Sequence, residues 1–454
     1  MWVRFGSNAF ANVLTGVSSV VFQLGLTALA ARSFDADSFS VWTLALSMAS
    51  LTPLFAVNLS AVVTRQLVPA LTTVNGKVTA VVMRAARRLG GGLAVLAVLV
   101  ILLAGYVLHG TSPILVTTGT GTFTLAVLFL TLGQLWQITI QPALGWHYAR
   151  EQNWPVVGIF LLARVGALTA MWLATRIYAG DLLTTALLLG VGHWVGVAVA
   201  HKRSFGSRVE LRNSGPELNR QVLETALLLR WFAIWSLCMA AIQYGLPQLM
   251  SILGAAHYNA FYLAYSLNLV LSGVVSAIGS AMLAPVARLG STADRPAMVQ
   301  VLSYLPMLIA FLLLTALVGM RLAMPLLVTR WSHGIASADD VNAYLFLLGL
   351  QTIARSLSVA FGILLASRAT ALRLVGPTLM ELGVVLFVAV PLGSFFGARA
   401  FLLALGGAGV TAALSTVVVA IMVADLDRSD RRRVMTRFAI TEGVALAAWW
   451  LLAN

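Results

Sequence analysis

The sequence predicts an all-α, polytopic membrane protein, and three observations lead to that class. Of its 454 residues, 60% are hydrophobic and only 10% are charged, whereas a soluble domain carries about 25% charged residues. The mean hydropathy is +0.92. Apolar runs of about 20 residues, the length that crosses roughly 30 Å of hydrocarbon as a helix, recur from end to end. These features exclude soluble enzymes, secreted modules and disordered tails.

Twelve of these apolar runs are predicted to be membrane-spanning helices. They occupy 8–31, 40–62, 89–108, 119–142, 156–176, 182–200, 230–252, 260–283, 302–322, 342–366, 374–396 and 400–424. A thirteenth apolar stretch, 438–453, is shorter and contains Glu442, so the sequence leaves open whether it spans. We therefore expect twelve or thirteen transmembrane helices.

The net charge of +14 lies mostly in the connectors between the apolar runs. If the N-terminus is cytoplasmic, 22 Lys and Arg residues fall on the inside and 5 on the outside. Positive residues are retained on the cytoplasmic side of membrane proteins. The charge pattern therefore predicts a cytoplasmic N-terminus, and it argues against a nucleic-acid partner.

A weak internal repeat relates the two halves of the chain. A shift of 219 residues aligns similar side chains at the start of predicted helices 2 and 8; these are Phe39, Trp42, Leu44, Ala45 and Ser47 with Tyr258, Phe261, Leu263, Ala264 and Ser266. Because six helices map onto six, the halves run in the same direction and predict two bundles related by a pseudo-twofold axis along the membrane normal. The predicted parts are a six-helix bundle over 1–200, a basic cytoplasmic linker over 201–229, a second bundle over 230–424, and a basic segment with a short apolar helix over 425–454.

Three charged side chains stand out inside predicted helices, away from the helix ends: Arg164, Arg355 and Glu381. A charge at mid-membrane costs about 2.5–3.5 kcal/mol on insertion scales, so each needs a partner or a wet cavity. Either the arginines face a cavity and bind an anionic phosphate bidentately, or Arg355 pairs with Glu381 and joins two helices. Glu381 is also the candidate for coupling to an ion gradient, because burial raises a carboxyl pKa.

Polar side chains recur at helical spacing on several predicted helices. The substrate-binding candidates among them are Asn12, Gln23, Gln134, Gln137 and Gln351, together with Arg32 and Arg65 at helix ends. Since lipid cannot satisfy these groups, their faces must turn inward. They either line a hydrated cavity or join helices in dry contacts, and headgroups or topology would also explain Arg32 and Arg65. Gly192 and Gly196 predict close helix packing.

The connectors are too short for a catalytic domain. The largest outside loop, 323–341, offers few catalytic side chains, and no GxxxxGK[ST] phosphate-binding loop is present. The single cysteine, Cys238, has no partner for a disulfide or a metal site. We therefore expect no enzyme activity, no cofactor and no metal.

Two segments resemble a known transporter family. Ala31-Arg32, Phe34-Asp35 and Ser38-Phe39, leading to Trp42, are similar to the junction of helices 1 and 2 in polysaccharide transporters. So is the stretch from Gly254 to Leu267, with Tyr258 and Tyr262-Leu263-Ala264 opening helix 8. These are the Wzx-type O-antigen and exopolysaccharide flippases of the multidrug/oligosaccharidyl-lipid/polysaccharide (MOP) exporter superfamily.

The resemblance implies a flippase for undecaprenyl-pyrophosphate-linked oligosaccharide repeat units, working by alternating access in the bacterial inner (cytoplasmic) membrane. It implies membrane lipids, a proton or sodium gradient, and polymerase and chain-length proteins of the same pathway as partners. A multidrug antiporter of the same superfamily, a peptidoglycan-precursor flippase and a membrane-embedded polysaccharide polymerase or ligase are the alternatives.

Overall fold

The computed structural model describes the chain with short gaps between helices. The described residues are 2–56, 59–72, 76–115, 119–150, 152–177, 181–204, 215–253, 257–292, 295–331, 335–368, 371–424 and 426–453. Within these ranges every regular element is helical, and nine stretches are long and apolar enough to cross a membrane. The predicted all-α, polytopic class is confirmed.

The chain divides into two compact units, which share the first helix, α1 (Trp2–Ser33). The first unit comprises Met1–Ser18 and Ser33–Ile252, and the second comprises Ser19–Arg32 and Leu253–Asn454. The two halves of α1 therefore contribute to different units.

The first unit continues with ten helices. They are α2 (Ala36–Ala49), α3 (Leu59–Thr72), α4 (Gly76–Thr111), α5 (Thr120–Gln134), α6 (Trp136–Thr139), α7 (Gln141–Ala149), α8 (Asn153–Ile177), α9 (Leu182–Ser204), α10 (Gly215–Tyr244) and α11 (Leu246–Ile252). Two short 3₁₀ turns, Thr52–Ala56 and Pro113–Leu115, join some of them.

The second unit contains eight further helices. They are α12 (Tyr258–Thr292), α13 (Arg295–Trp331), α14 (Ala338–Leu357), α15 (Val359–Arg368), α16 (Ala371–Val384), α17 (Val390–Phe396), α18 (Ala398–Val423) and α19 (Arg428–Ala453). A π-helical turn, Val385–Ala389, joins α16 to α17.

The structure differs from the prediction mainly at breaks inside predicted helices. Predicted helix 119–142 is interrupted at Leu135 and Ile140, and predicted helix 342–366 is interrupted at Ser358. Each interrupting residue keeps right-handed helical backbone angles, so the chain bends without leaving the bundle.

Glycines let helices of the first unit approach to backbone contact. A Cβ built on Gly192 of α9 would lie 2.5 Å from the carbonyl oxygen of Gly166 on α8, and one on Gly196 would overlap the carbonyl of Leu162. A Cβ on Gly133 of α5 would lie 2.5 Å from Cα of Gly190. The packing role predicted for Gly192 and Gly196 matches these contacts, which fix α8 and α5 against α9.

In the second unit, α19 runs alongside α13 in the same direction. Arg295, at the start of α13, lies 3.2 Å from the Asp427 carboxylate just before α19. Further along, the Arg437 guanidinium lies 5.0 Å from the centre of the Tyr304 ring. Near its end, Trp449 packs on Phe346 of α14, with ring centres 4.0 Å apart.

Candidate functional site

A buried ion pair joins α14 to α16 in the second unit. Arg355 Nε donates to Glu381 Oε1 at 2.8 Å, and Nη2 lies 2.7 Å from Oε2. The Arg355 side chain is 17% exposed and that of Glu381 is 2% exposed. Gln351, one turn before Arg355, also donates to Glu381 Oε1 at 3.0 Å. The pair carries no net charge, so Glu381 offsets much of the attraction that Arg355 would exert on an anion.

Polar contacts continue from α14 to α12. The Thr352 hydroxyl donates to Asn268 Oδ1 at 2.7 Å, and both side chains are buried. An interhelical bond of this kind contributes about 0.6–2 kcal/mol in a membrane. Together with the ion pair, it links α12, α14 and α16 through side chains that lipid could not satisfy.

The second half of α1 contacts α12 through another polar group. The Tyr262 side chain hydrogen-bonds with Gln23 and Ser266. Thr27 lies 3.5 Å from the Ser266 hydroxyl and donates to the Gln23 carbonyl at 2.9 Å. Gln23, a predicted substrate-binding residue, therefore takes part in a contact between helices.

In the first unit, Arg164 lies near the middle of α8 and contacts the first half of α1. Its Nη1 donates to the Thr15 carbonyl at 2.7 Å and to the Ser18 hydroxyl. Its guanidinium carbon lies 5.3 Å from the centre of the Phe160 ring. Among the described residues no carboxylate lies within ion-pair distance of Arg164, and its Nε and Nη2 make no hydrogen bond. Within the described part of the chain, Arg164 thus has no neutralising carboxylate and retains donors that make no hydrogen bond.

Aromatic and amide side chains lie in the same unit as Arg164. His193 on α9 is 2% exposed, hydrogen-bonds the Leu189 carbonyl at 3.1 Å, and stacks on Trp136 with ring centres 6.1 Å apart. Gln137 donates to the side chain of Gln134. The two predicted glutamines therefore bind each other, and His193 has the hydrogen-bonded position of a core residue.

The remaining predicted residues are distributed over the chain. Arg32 is exposed and its Nη2 donates to the Arg330 carbonyl at 3.0 Å, which joins the end of α1 to the end of α13. The side chains of Arg65 and Asn12 lie outside the described part of the structure. The structure thus brings together Gln351, Arg355 and Glu381 in the second unit, and holds Arg164 in the first.

The arrangement of helices is shared with solved transporters. The chain superposes on the eukaryotic MATE transporter AtDTX14 with a TM-score of 0.68, 17% identity and coverage of 95% of this chain and 98% of that one. For an inward-facing multidrug resistance MATE family transporter of the MOP superfamily, the TM-score is 0.64 and the identity is 12%, with coverage of 96% of this chain and 99% of that one. For the Vibrio cholerae MATE transporter VcmN in its bent form, the TM-score is 0.59 and the identity is 12%, with coverage of 94% of this chain and 97% of that one.

The chain has the MATE transporter fold. No protein-family model matches the sequence, and no curated protein matches it. The structural neighbours named above are transporters rather than enzymes. Identity of 10–17% over the whole chain shows a common fold, while the substrate has to be argued from the side chains.

Within this MATE fold, one buried acid, Glu442, was not among the predicted site residues. Glu442 on α19 is 5% exposed, and its Oε1 has no hydrogen-bond partner in the described part of the chain. Its helix face also carries buried Val434, Phe438 and Trp449. Their helical spacing around Glu442 is the sequence signal that could have identified it as a buried carboxyl.

Proposed function

We propose that this chain is a secondary transporter of the MATE fold that exports an amphipathic anionic substrate by alternating access. The fold similarity over nearly the whole chain supports a transport function. The excess of basic residues in the predicted inside connectors supports a cytoplasmic N-terminus. An inner-membrane location is what the resemblance to polysaccharide flippases implies. The sign of the substrate charge is argued from Arg164.

Arg164 is the observation that carries the proposal. It lies in α8, a candidate membrane span, and it binds only neutral oxygens among the described residues. Keeping a guanidinium in a membrane costs several kcal/mol unless an opposite charge or water compensates it. An anionic phosphate could supply that charge. The Nε and Nη2 hydrogens, which bind none of the described residues, have the geometry for two parallel bonds to its oxygens.

A lipid-linked oligosaccharide pyrophosphate is the substrate that this chemistry favours. Its diphosphate would bind Arg164, its sugars need hydroxyl and amide partners of the kind that Gln134 and Gln137 provide, and its polyprenyl chain remains in lipid. The resemblance of the segments around Trp42 and Tyr258 to polysaccharide flippases supports the same substrate. Polymerase and chain-length proteins of a polysaccharide pathway are then the expected partners.

Multidrug export is the second candidate function, and the structural comparisons favour it over the flippase. One of the solved structures named above is described as a multidrug resistance transporter. An exporter of organic cations needs a buried acid. Glu442 is a buried carboxyl whose Oε1 has no partner among the described residues, although α19 is not one of the nine candidate membrane spans found there. Glu381, by contrast, already accepts from Arg355 and Gln351.

Coupling to a proton or sodium gradient is part of the proposal for either substrate. Glu381 is the acid that the sequence suggested, and its ion pair with Arg355 means that coupling there would require the pair to open. Glu442 needs no such step. A Glu381→Gln variant that still transports uphill would assign coupling to another residue.

Reconstituted vesicles separate the two candidate substrates. The purified chain is placed in proteoliposomes with a fluorescent undecaprenyl-pyrophosphate-linked saccharide, and outward movement is measured by enzymatic access to the sugar. In parallel, efflux of an organic-cation dye is followed under an imposed pH gradient. We expect saccharide movement by the native chain and a loss of at least tenfold in Arg164→Gln, since one lost charge-assisted bond is worth about 1.5–3 kcal/mol.

Arg176→Gln is the matched control, because Arg176 lies on the same helix but is exposed at its end. This variant should transport at the native rate. Arg164→Lys should retain part of the activity, since lysine keeps the charge but loses bidentate geometry. Native-rate saccharide movement in Arg164→Gln, or dye efflux without saccharide movement, would overturn the anionic substrate.

A further inference from the structure

A groove opens among three helices of the second unit, α13, α14 and α19. Its volume is about 260 Å³. The polar part of its lining is formed by Arg321, Asp339 and Asn342, and the apolar part includes Leu317, Phe346 and Trp449. Ligand pockets typically measure about 300–1,000 Å³, so this groove suits a headgroup or a single small moiety rather than a drug-sized molecule.

The groove contains one cation and one anion that do not neutralise each other. Arg321 and Asp339 are both exposed, and neither has an ion-pair partner among the described residues. The neighbouring Asp340 differs, because it accepts from Ser337 at 2.7 Å and lies 3.6 Å from His257. A ligand bearing both charges would satisfy Arg321 and Asp339 together.

We expect the groove to lie at the depth of a membrane interface when α13 is centred in the bilayer. Helix α13 has 37 residues, about 55 Å of helix, so its ends project beyond roughly 30 Å of hydrocarbon. Arg321 is about 12 Å from the middle of the helix by helical rise, close to the edge of the hydrocarbon. Trp450, next to Trp449 on α19, is exposed and is an aromatic of the kind found at this depth. Leu322 and Leu326, which follow Arg321 on α13, are exposed apolar side chains.

We propose that this groove binds the headgroup of a zwitterionic phospholipid, with its phosphate on Arg321 and its ammonium on Asp339. Arginine pairs with phosphate through charge-assisted bonds, and a carboxylate accepts from an ammonium. Asn342 can donate to the ester oxygens, while the acyl chains follow Leu317 and the apolar surface outside. The site is distinct from Arg164 and does not depend on the proposed substrate.

Native mass spectrometry of the full-length chain tests the lipid class. Delipidated protein in detergent is titrated with phosphatidylethanolamine or with phosphatidylglycerol of the same acyl chains. Phosphatidylglycerol keeps the phosphate but lacks the ammonium, so we expect phosphatidylethanolamine to bind about tenfold more tightly, the value of one charge-assisted bond. Equal binding of the two lipids by the native chain would overturn the role of Asp339.

Two variants test which groove residue binds which charge of the lipid headgroup. Asp339→Asn should remove the preference for phosphatidylethanolamine and leave binding of phosphatidylglycerol unchanged, whereas Arg321→Gln should weaken both lipids about tenfold. The matched controls are Asp37→Asn, in the first turn of α2, and Arg176→Gln, at the end of α8. Retention of the native preference in Asp339→Asn, or native affinity for both lipids in Arg321→Gln, would overturn the site, as would an equal loss in the controls.

Hydrogen exchange of the native chain keeps the proposal testable if a variant fails to fold. Phosphatidylethanolamine should protect the first turns of α14 and the end of α19 more than phosphatidylglycerol does, and lack of any difference there counts against the site. Water-soluble glycerophosphoethanolamine distinguishes the source of the headgroup. If it protects the groove as well as the lipid does, the ligand is a free zwitterion and the lipid proposal is wrong.

Discussion

Breaking the ion pair between Arg355 and Glu381 should destabilise the protein strongly. Glu381 is 2% exposed and accepts from both Arg355 and Gln351. Removing one partner of a buried pair typically costs 3–5 kcal/mol, because the other charge is left uncompensated. Since Gln351 still donates one bond to the carboxylate, we expect Arg355→Met to cost about 3 kcal/mol, at the low end of that range.

The double variant Arg355→Met with Glu381→Met is the informative comparison. It leaves no uncompensated charge, and apolar replacement of a buried pair is often close to neutral. Unfolding in mixed micelles with increasing SDS, followed by circular dichroism, gives the free energy for each variant. We expect the double variant to lose less than the sum of the two single variants, with a coupling of at least about 2 kcal/mol.

Arg399→Met is the control, because Arg399 lies in the same unit but is exposed at the start of α18. Its free energy of unfolding should change by no more than about 0.5 kcal/mol. If Arg355→Met were as mild as Arg399→Met and the two pair substitutions were additive, Arg355 and Glu381 would not be coupled. Arg355 would then be available for an anionic substrate.

Three further predictions concern packing, capping and interhelical bonding. Gly196→Ala should cost about 1–3 kcal/mol by overpacking, measured by SDS unfolding, while Gly158→Ala should be neutral because a Cβ on Gly158 meets nothing within 4 Å. Asp35→Ala should cost about 1 kcal/mol by loss of a helix N-cap. The Asp35 pKa is lowered by a backbone N–H donor. The stability contributed by the Asp35 carboxylate is therefore present at neutral pH and is lost as pH falls through the lowered pKa. The destabilisation caused by Asp35→Ala should accordingly be smaller in acid. Thr352→Val should cost about 0.6–2 kcal/mol by leaving Asn268 without its donor, and a thermal melt unchanged from native would contradict that bond.

Hydrophobicity and length were enough to predict some of the helices, whereas predicted helix 40–62 is divided in the structure between α2, which ends at Ala49, and α3, which begins at Leu59. Predicted helices 156–176 and 182–200 fall within Asn153–Ile177 and Leu182–Ser204. The breaks at Leu135 and Ser358 were not predictable, because neither residue is a proline or glycine and apolar periodicity continues through both. The identity of these two residues therefore gives no local reason for the breaks.

The chemistry of the charged residues was predictable only in part. The sequence placed Arg355 and Glu381 on adjacent predicted helices, and pairing was one of the two arrangements it allowed. The partners of Arg164 could not be foreseen, since one of them is the backbone carbonyl of Thr15. Every residue has a backbone carbonyl, so the sequence does not indicate which carbonyl will accept a hydrogen bond from Arg164. Only the packing of α1 on α8 shows that it is the carbonyl of Thr15.

Because α19 runs parallel to α13, a candidate membrane span, we expect the two helices to cross the membrane in the same direction. The two ends of α19 are Arg428, beside the start of α13, and Ala453, beyond Trp449. In sealed vesicles, an epitope inserted before Arg428 and another attached after Ala453 should therefore be stained by antibodies from opposite sides. Staining of both epitopes from the same side would show that α19 does not cross the membrane.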